Sequence, residues 1–563
     1  MKVTPKKRLA GILVPVFALR GSQDLGIGDT GAVSELLHWA KRQKLGAIQI
    51  LPVNEPGSDH SPYNLLSAMA LDPLTIQTTP GALPGLSEQD FERIQSSHPK
   101  TLSEDVNYPA VRALKFELLE AAFASFGEFG GADDFEDFQW RSEGWLPDYA
   151  LHRALVERHG GSEVSDEWPT EHSSPEAARA WLDTLPDGER NAFEARIAFR
   201  TFIQWVAHRQ WSELREEADH LGIALIGDVP VGVSRYSADV WSQPQLFDLD
   251  RTSGAPPEKV FQSDPFTVQW GQNWGFPLYN WEAMSRDNFL WWRRRLRLLL
   301  SLFHLLRVDH ALGFFRIYSF PWQPRENSQF IDLSPEDAAK ITGGLLPGFM
   351  DCDDSTEENQ EHNRRHGEMI FRFFCEEADP WRLLAEDLGE VALYVRPTLE
   401  KLGIPGFKIP QWEQEGGEFK KGESYHRLSL ATFGTHDHPP TRAFWEDLYR
   451  EATSEDTERS AGALDQQRRF MQFCGGPVRD LPQPYTPKIH HAFLSGLLNT
   501  NSWLAVPMIT DLFGTDAQFN VPGSISGQNW SYRVPEPISE WSTVHAPVLR
   551  FFRNAVRNAE REP

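Results

Sequence analysis

Cysteine is scarce in this chain: Cys352, Cys375 and Cys474 are the three among 563 residues, far apart and in no metal-ligand spacing. That excludes a disulfide framework and fits a reducing compartment. Positive charge is short as well. Fifty-five Lys and Arg face 80 Asp and Glu, a formal net charge of −25, whereas nucleic acid or an anionic membrane would require a basic face. No apolar run approaches the roughly 18 residues of a membrane span. Residues 2–19 imitate a secretion signal, with Lys2, Lys6, Lys7 and Arg8 before Leu9–Leu19. Pro15 interrupts that run, Arg20 follows it and no small-residue cleavage site precedes Asp24, so an uncleaved, cytoplasmic chain is expected. A phosphate-cradling loop is also missing, because Gly21, Gly26 and Gly28 lack the spacing and the lysine of a nucleotide site.

What the chain has in quantity is aromatic side chains, 20 Trp and 36 Phe. Most must fill a core, and a chain of this length can bury a large one. Trp and Tyr clustered beside Gly, Asn and Gln also suit a site that stacks on flat ligand faces while hydrogen-bonding their rims. Sugars are such ligands.

The apolar run Leu9–Val16 has strand length, Asp29 and Thr30 can cap a helix over Gly31–Leu45, and Ala47–Val53 is a second strand. Strand, helix, strand implies a parallel pair. Mostly helical sequence follows, including 110–126 and 191–217, before Ile223–Pro230 resumes the strands. Ser234–Tyr279 reads as a long loop rich in Trp and Phe, a lid. The helix 289–303 (FLWWRRRLRLLLSLF) has an apolar stripe and a basic face read as solvated. It delivers the chain into Leu305–Phe315 (LLRVDHALGFF), and short strands recur at Leu383–Gly389, Gly406–Pro410, Leu428–Asp437 and Trp503–Pro507. Eight strands with polar C-terminal ends predict an α/β fold, a (β/α)8 TIM barrel with inserted, mainly helical subdomains; an open parallel sheet is the other candidate. The expected segments are barrel 1–80, helical insertion 81–200, barrel 201–319 with a lid at 250–280, insertion 320–380, barrel 381–540 and a terminal helix 541–563.

Three strand ends carry carboxylates that a barrel would converge, Asp309, Glu386 and Asp437, with Asp228 a fourth. Each alone reads equally as an ion pair or a helix cap. Together they supply what glycosidic cleavage needs, an ionised carboxylate and a protonated one flanking the bond. Side chains alternate along a strand, so Arg307 shares a face with Asp309 and is expected to lower its pKa, marking it as the nucleophile. Glu386, after Leu383, Leu384 and Ala385, is the candidate acid and base, its pKa raised by apolar walls. Asp387 points to the other face. His436 and His438 form an H-x-H pair, but only His310 is placed to join them, so no metal is expected.

A series of short motifs runs from Gly26-Ile27-Gly28-Asp29 and Ser61-Pro62-Tyr63 through Gly227-Asp228-Val229-Pro230, Gly254-Ala255-Pro256-Pro257 and Gly271-Gln272-Asn273-Trp274-Gly275. It continues through Arg307-Val308-Asp309-His310, Ala385-Glu386-Asp387-Leu388-Gly389 and Thr435-His436-Asp437 to Asn520-Val521-Pro522-Gly523 and Asn529-Trp530. In this order and together the motifs resemble amylomaltases, bacterial 4-alpha-glucanotransferases similar to plant disproportionating enzymes within the alpha-amylase clan. The resemblance implies a retaining double displacement on maltodextrins, with Asp309 as nucleophile, Glu386 as acid and base and Asp437 stabilising the distorted sugar. Tyr63, Asp228, Arg307 and His436 would bind the same sugar and Trp274 would arch over the acceptor side. The resemblance implies no cofactor. An alpha-glucan hydrolase and a non-catalytic carbohydrate-binding barrel are the alternatives. The chain departs from the family pattern where His438-Pro439-Pro440-Thr441 replaces Asn, one residue and Thr, where Thr510 precedes Asp511 in place of Gln, in a longer loop between Pro257 and Gly271, and at Glu55–His60, which lacks an aromatic.

Overall fold

The computed structural model describes residues 4–99, 101–126, 133–257, 264–522 and 528–563. Gly523 and residues 258–263 of the expected lid lie outside them. Eight parallel strands close into a barrel in chain order: Leu9–Leu13, Ala47–Gln49, Ala224–Val229, Leu305–Val308, Leu383–Ala385, Gly406–Lys408, Ser429–Ala431 and Leu504–Ala505, the last pairing with the first. The open sheet is thereby excluded. Among the described residues no helix is long and apolar enough to cross a membrane.

Alternation along each strand sorts its side chains between two cores. Leu9, Ala47, Ala224, Ile226, Leu305, Leu384, Phe407, Leu430 and Leu504 pack together inside the barrel. Ile12, Ile48, Leu225, Leu306, Val308, Leu383 and Ala385 instead join the core against the surrounding helices. Two residues beyond an inward apolar side chain lies another inward one: Ile226 leads to Asp228, Leu305 to Arg307 and Leu384 to Glu386. The barrel interior thus hands its periodicity to its C-terminal mouth.

The first helix, Thr30–Arg42, starts where Asp29 accepts a hydrogen bond from the N–H of Ala32 at 3.2 Å. The helices Tyr108–Phe126 and Asp187–Leu221 contain the two predicted in that region. The second ends at Gly222 in the left-handed region, φ 72°, a conformation only glycine adopts without strain, and drops straight into the third barrel strand. In the helix Leu290–Leu302 the basic face is not simply solvated. Arg295 is fully buried over Trp291 and Trp292, with its guanidinium carbon 5.6 and 4.9 Å from their rings, and Arg293 is paired with Glu376 and Glu377 at 2.6 Å each. Packing on aromatic faces and a second helix absorbs charges that a one-helix projection leaves in water.

The predicted lid loop is a folded sheet. Strands Gln272–Tyr279, Phe247–Ala255, Ile317–Phe320 and Gly348–Met350 form an antiparallel sheet in that order. Its partners come from two insertions far apart in sequence, so no local pattern announces it. Gly254 is required here: a Cβ at this position would stand 2.0 Å from the carbonyl oxygen of Gln272.

Candidate active site

Arg307 is the centre of the barrel mouth. It is 2 % exposed and lies opposite Asp228 in the register of the adjacent strand. Its Nη1 donates to both oxygens of Asp228 at 2.9 and 2.7 Å and to the hydroxyl of Tyr63 at 3.2 Å. Its Nη2 lies 3.1 Å from Oδ1 of Asp309 and 3.0 Å from Oε1 of Glu386. Two oxygens held that close to one nitrogen stand at most about 6 Å apart, short of the roughly 6.5–9.5 Å of carboxylates that admit a water between them.

Each of these carboxylates has a backbone partner as well. The N–H of Val231 donates to Oδ2 of Asp309 at 3.1 Å, and the N–H of His310 donates to Oε2 of Glu386 at 2.9 Å. That second bond is made by a residue held at φ 41°, ψ 54°, a left-handed conformation costly for a non-glycine residue and common at ligand sites. Glu386 therefore meets charged and polar donors, not the purely apolar walls expected of it. Asp387 points the other way, as expected, and is paired with Arg396 at 2.8 Å.

Burial outweighs Arg307 at Asp309. The carboxyl is pushed up from its ordinary range, with Glu386 adding to the rise, where the sequence argument expected a lowered pKa. Burial and the guanidinium pull in opposite directions, and at this depth burial is the larger. Burial likewise pushes Asp228 up to about 6, against the pull of Arg307. Several carboxylates around a single guanidinium favour the retention of a proton among them.

A second arm runs from Tyr63 to Asp437. Tyr63 donates to Asp228 at 2.8 Å and stacks on His436, ring centroids 4.8 Å apart and 16° from parallel. His436 Nε2 is 3.3 Å from Asp437 Oδ2, and Asn520 donates to Asp437 Oδ1 at 2.6 Å. Burial alone would raise Asp437; the charge and hydrogen bond of His436, with the Asn520 amide, hold it well below the usual carboxylate range. Trp530 leans on both Tyr63 and His436, at 5.9 and 5.6 Å. The lid sheet reaches in through Trp274, whose ring meets His310 edge-on at 4.9 Å.

Asp228, Arg307, Asp309, Glu386, Tyr63, His436 and Asp437 thus form one connected set, and Trp274 touches it through His310. Sequence reasoning missed Asn520, Trp530 and the N–H groups of Val231 and His310 as members. Asn520 and Trp530 stood in quoted motifs, but nothing in their spacing linked them to residue 437. His436 and His438 do not converge on a common point, since His438 turns its Nδ1 to Thr435 at 3.1 Å. Among the described residues no group of three or more His, Cys, Asp or Glu is arranged to hold a metal ion.

The family profile described as 4-alpha-glucanotransferase, glycoside hydrolase family 77, matches residues 14–539. The 4-alpha-glucanotransferase of Thermus thermophilus is 29% identical over 563 residues, covering 97% of this chain and 98% of its own. That of Chlamydia pneumoniae is 28% identical, covering 94% of this chain and 92% of its own. The amylomaltase of Streptococcus agalactiae in complex with acarbose shares the fold, with a TM-score of 0.75 at 24% identity over 99% of this chain and all of that one. With a profile match spanning nearly its whole length, this chain belongs to the 4-alpha-glucanotransferases of glycoside hydrolase family 77.

Proposed function

We propose that the chain moves alpha-1,4-glucan segments from one maltodextrin to another, or to glucose, by a retaining double displacement at the Arg307 cluster. The observation that carries this reading is the shared nitrogen: Asp309 and Glu386 each offer an oxygen to Nη2 of Arg307, at 3.1 and 3.0 Å. Such closeness suits a nucleophile and an acid acting on one bond, with no water held between them.

In the first half of the reaction an Asp309 oxygen attacks the anomeric carbon. The bond from that carbon to the glycosidic oxygen breaks, and Glu386 delivers its proton to the departing oxygen. A glucosyl ester on Asp309 remains. In the second half a sugar hydroxyl enters, Glu386 takes its proton, and the new oxygen displaces Asp309. Arg307 orients both carboxylates, Asp228 fixes Arg307, and Asp437, kept anionic, binds the ring hydroxyls as positive charge develops at the anomeric centre. Tyr63 and His436 supply a flat aromatic wall.

Water and a sugar hydroxyl compete for the ester, so the product pattern decides the outcome. Incubated with maltotriose, the protein is expected to release glucose and build a ladder of longer maltodextrins. Glucose and maltose with no longer product would replace transfer by hydrolysis.

A further inference from the structure

His438 stands where the family pattern carries Asn, directly after Asp437. We propose that His438 is a positioning residue, whose neutral imidazole closes the turn that presents Asp437 to the sugar. The inference rests on the reading of Asp437 given above.

The turn runs from Thr435 to His438. The N–H of His438 donates to the carbonyl of Thr435 at 3.0 Å, and the ring then folds back so that its Nδ1 accepts the N–H of Thr435 at 3.1 Å. The Thr435 hydroxyl lies 3.0 Å from the same nitrogen. A backbone N–H only donates, so Nδ1 must carry a lone pair and the proton must sit on Nε2. An imidazolium has no lone pair at Nδ1 and cannot close the turn.

The surroundings leave this ring little freedom. Gly434 makes the fold-back possible: a Cβ there would stand 2.8 Å from Cβ of His438 and 3.3 Å from its ring. On the outer side Trp412, from the loop after the sixth barrel strand, meets the ring at 5.2 Å and 61°. Pro439 and Pro440 follow, and the next N–H, that of Thr441, is tied to Asp511 at 2.7 Å. The far end of the turn is therefore fixed, as is the strand before it. Between them Asp437 is held at its carboxylate by His436 and Asn520 and at its carbonyl by Gln518 at 3.1 Å, and the His438 ring fixes the turn of backbone from which it projects. The charged and titratable groups acting on His438 are Asp437, which favours its protonation, and His436, which opposes it; burial, the largest influence, also opposes it.

Misplacing a group that contacts the substrate by an ångström costs on the order of 10²-fold in rate. His438→Ala is accordingly expected to lower kcat on maltotriose about 10- to 100-fold with KM changed far less. His438→Asn, whose amide oxygen reaches the N–H of Thr435, is expected to restore most of kcat, with the acid limb set by Asp228 and Asp309 unchanged. Asp437→Asn is the control. If Asp437→Asn is active, the reading of Asp437 falls and this inference with it. If Asp437→Asn is inert while His438→Ala keeps full kcat, or if His438→Asn is no better than His438→Ala in a folded protein of unchanged Tm, the positioning role alone is overturned.

Discussion

Arg307 commits Nη1 to the two oxygens of Asp228, at 2.9 and 2.7 Å, and this leaves Nη2 as the donor that Asp309 and Glu386 divide between them. The division of labour needs a planar fork. Lysine keeps the charge but presents a single point, so it cannot hold Asp228 on one side and span two carboxylates on the other. Arg307→Lys is expected to reduce kcat/KM on the order of 10²-fold through misplacement of the reacting carboxylates. Arg307→Ala, which leaves the buried Asp228 and the partly buried Asp309 and Glu386 without their shared cation, should also lower stability by about 3–5 kcal/mol in urea denaturation. A lysine variant with parental kinetics would show that the fork is dispensable.

The same cluster fixes the direction of the acid limb. Asp228 sits at about 6 and Asp309 is raised, both by burial. Asp228 must be ionised to hold Arg307, and Asp309 must be ionised to attack, so both functions fade as pH falls. kcat/KM is expected to decline on the acid side with an inflection near pH 6. For stability the sign is reversed. The folded state binds the Asp228 proton more tightly than the unfolded chain does, so the contribution of this group is complete below about pH 4, the ordinary Asp value, and is lost as pH rises through about 6. A kcat/KM profile level from pH 5 to 8 would contradict this placement of charge.

Nucleophile and acid are distinguished by the leaving group. A glycosyl fluoride departs without a proton, so with this donor Glu386→Gln is expected to form the ester and stall, because the base for the second half is missing. Intact-protein mass spectrometry should then show the added glucan. On maltotriose the same variant should lose about 10²- to 10⁴-fold in kcat. Asp309→Asn should acquire no mass from the fluoride. Labelling of Asp309→Asn, or none of Glu386→Gln, would reverse or dismiss the assignment.

Much of this site was legible in the sequence for one reason: a barrel strand has a period of two, and its mouth continues that period. Ile226 to Asp228, Leu305 to Arg307 and Leu384 to Glu386 are steps of two, and Asp387, one step off, points outward to Arg396. What stayed hidden depends on partners distant in the chain. Asn520 reaches Asp437 across 83 residues, and the sheet at Phe247–Ala255 pairs with Ile317–Phe320 from another insertion. The direction of the Asp309 shift was misjudged because pairing can be read from spacing and desolvation cannot.

The lid sheet should govern the competition between water and sugar. Trp274 bears edge-on against His310, and the sheet beneath it depends on Gly254, where a Cβ would come within 2.0 Å of the Gln272 carbonyl. Gly254→Ala must push two strands apart, at about 1–3 kcal/mol, and so lift Trp274. Water exclusion weakens in consequence. The expected result is a larger share of hydrolysis, read as reducing ends gained per glucose released from maltotriose, with Trp274→Ala shifting the ratio the same way. An unchanged ratio in both variants would detach the sheet from the chemistry.

The opposite end of the barrel offers a change in stability without a change in chemistry. Arg561, fully buried beyond the helix Ala546–Asn558, donates to the carbonyls of Leu498 at 2.6 Å, Thr500 at 2.6 Å, and Leu9 and Trp503 at 3.2 Å each. It thereby fastens the chain end to the first and last barrel strands, at the face where barrels carry stability and not catalysis. Arg561→Ala strips a charged donor from several buried carbonyls, and a cost of about 2–4 kcal/mol is expected in urea denaturation. At a temperature where the variant is fully folded, kcat on maltotriose should equal that of the parent, because the carboxylates at the mouth keep their positions. A fall in kcat without a fall in stability would mean that the two ends of the barrel are mechanically coupled and that the floor of the barrel sets the geometry of Arg307.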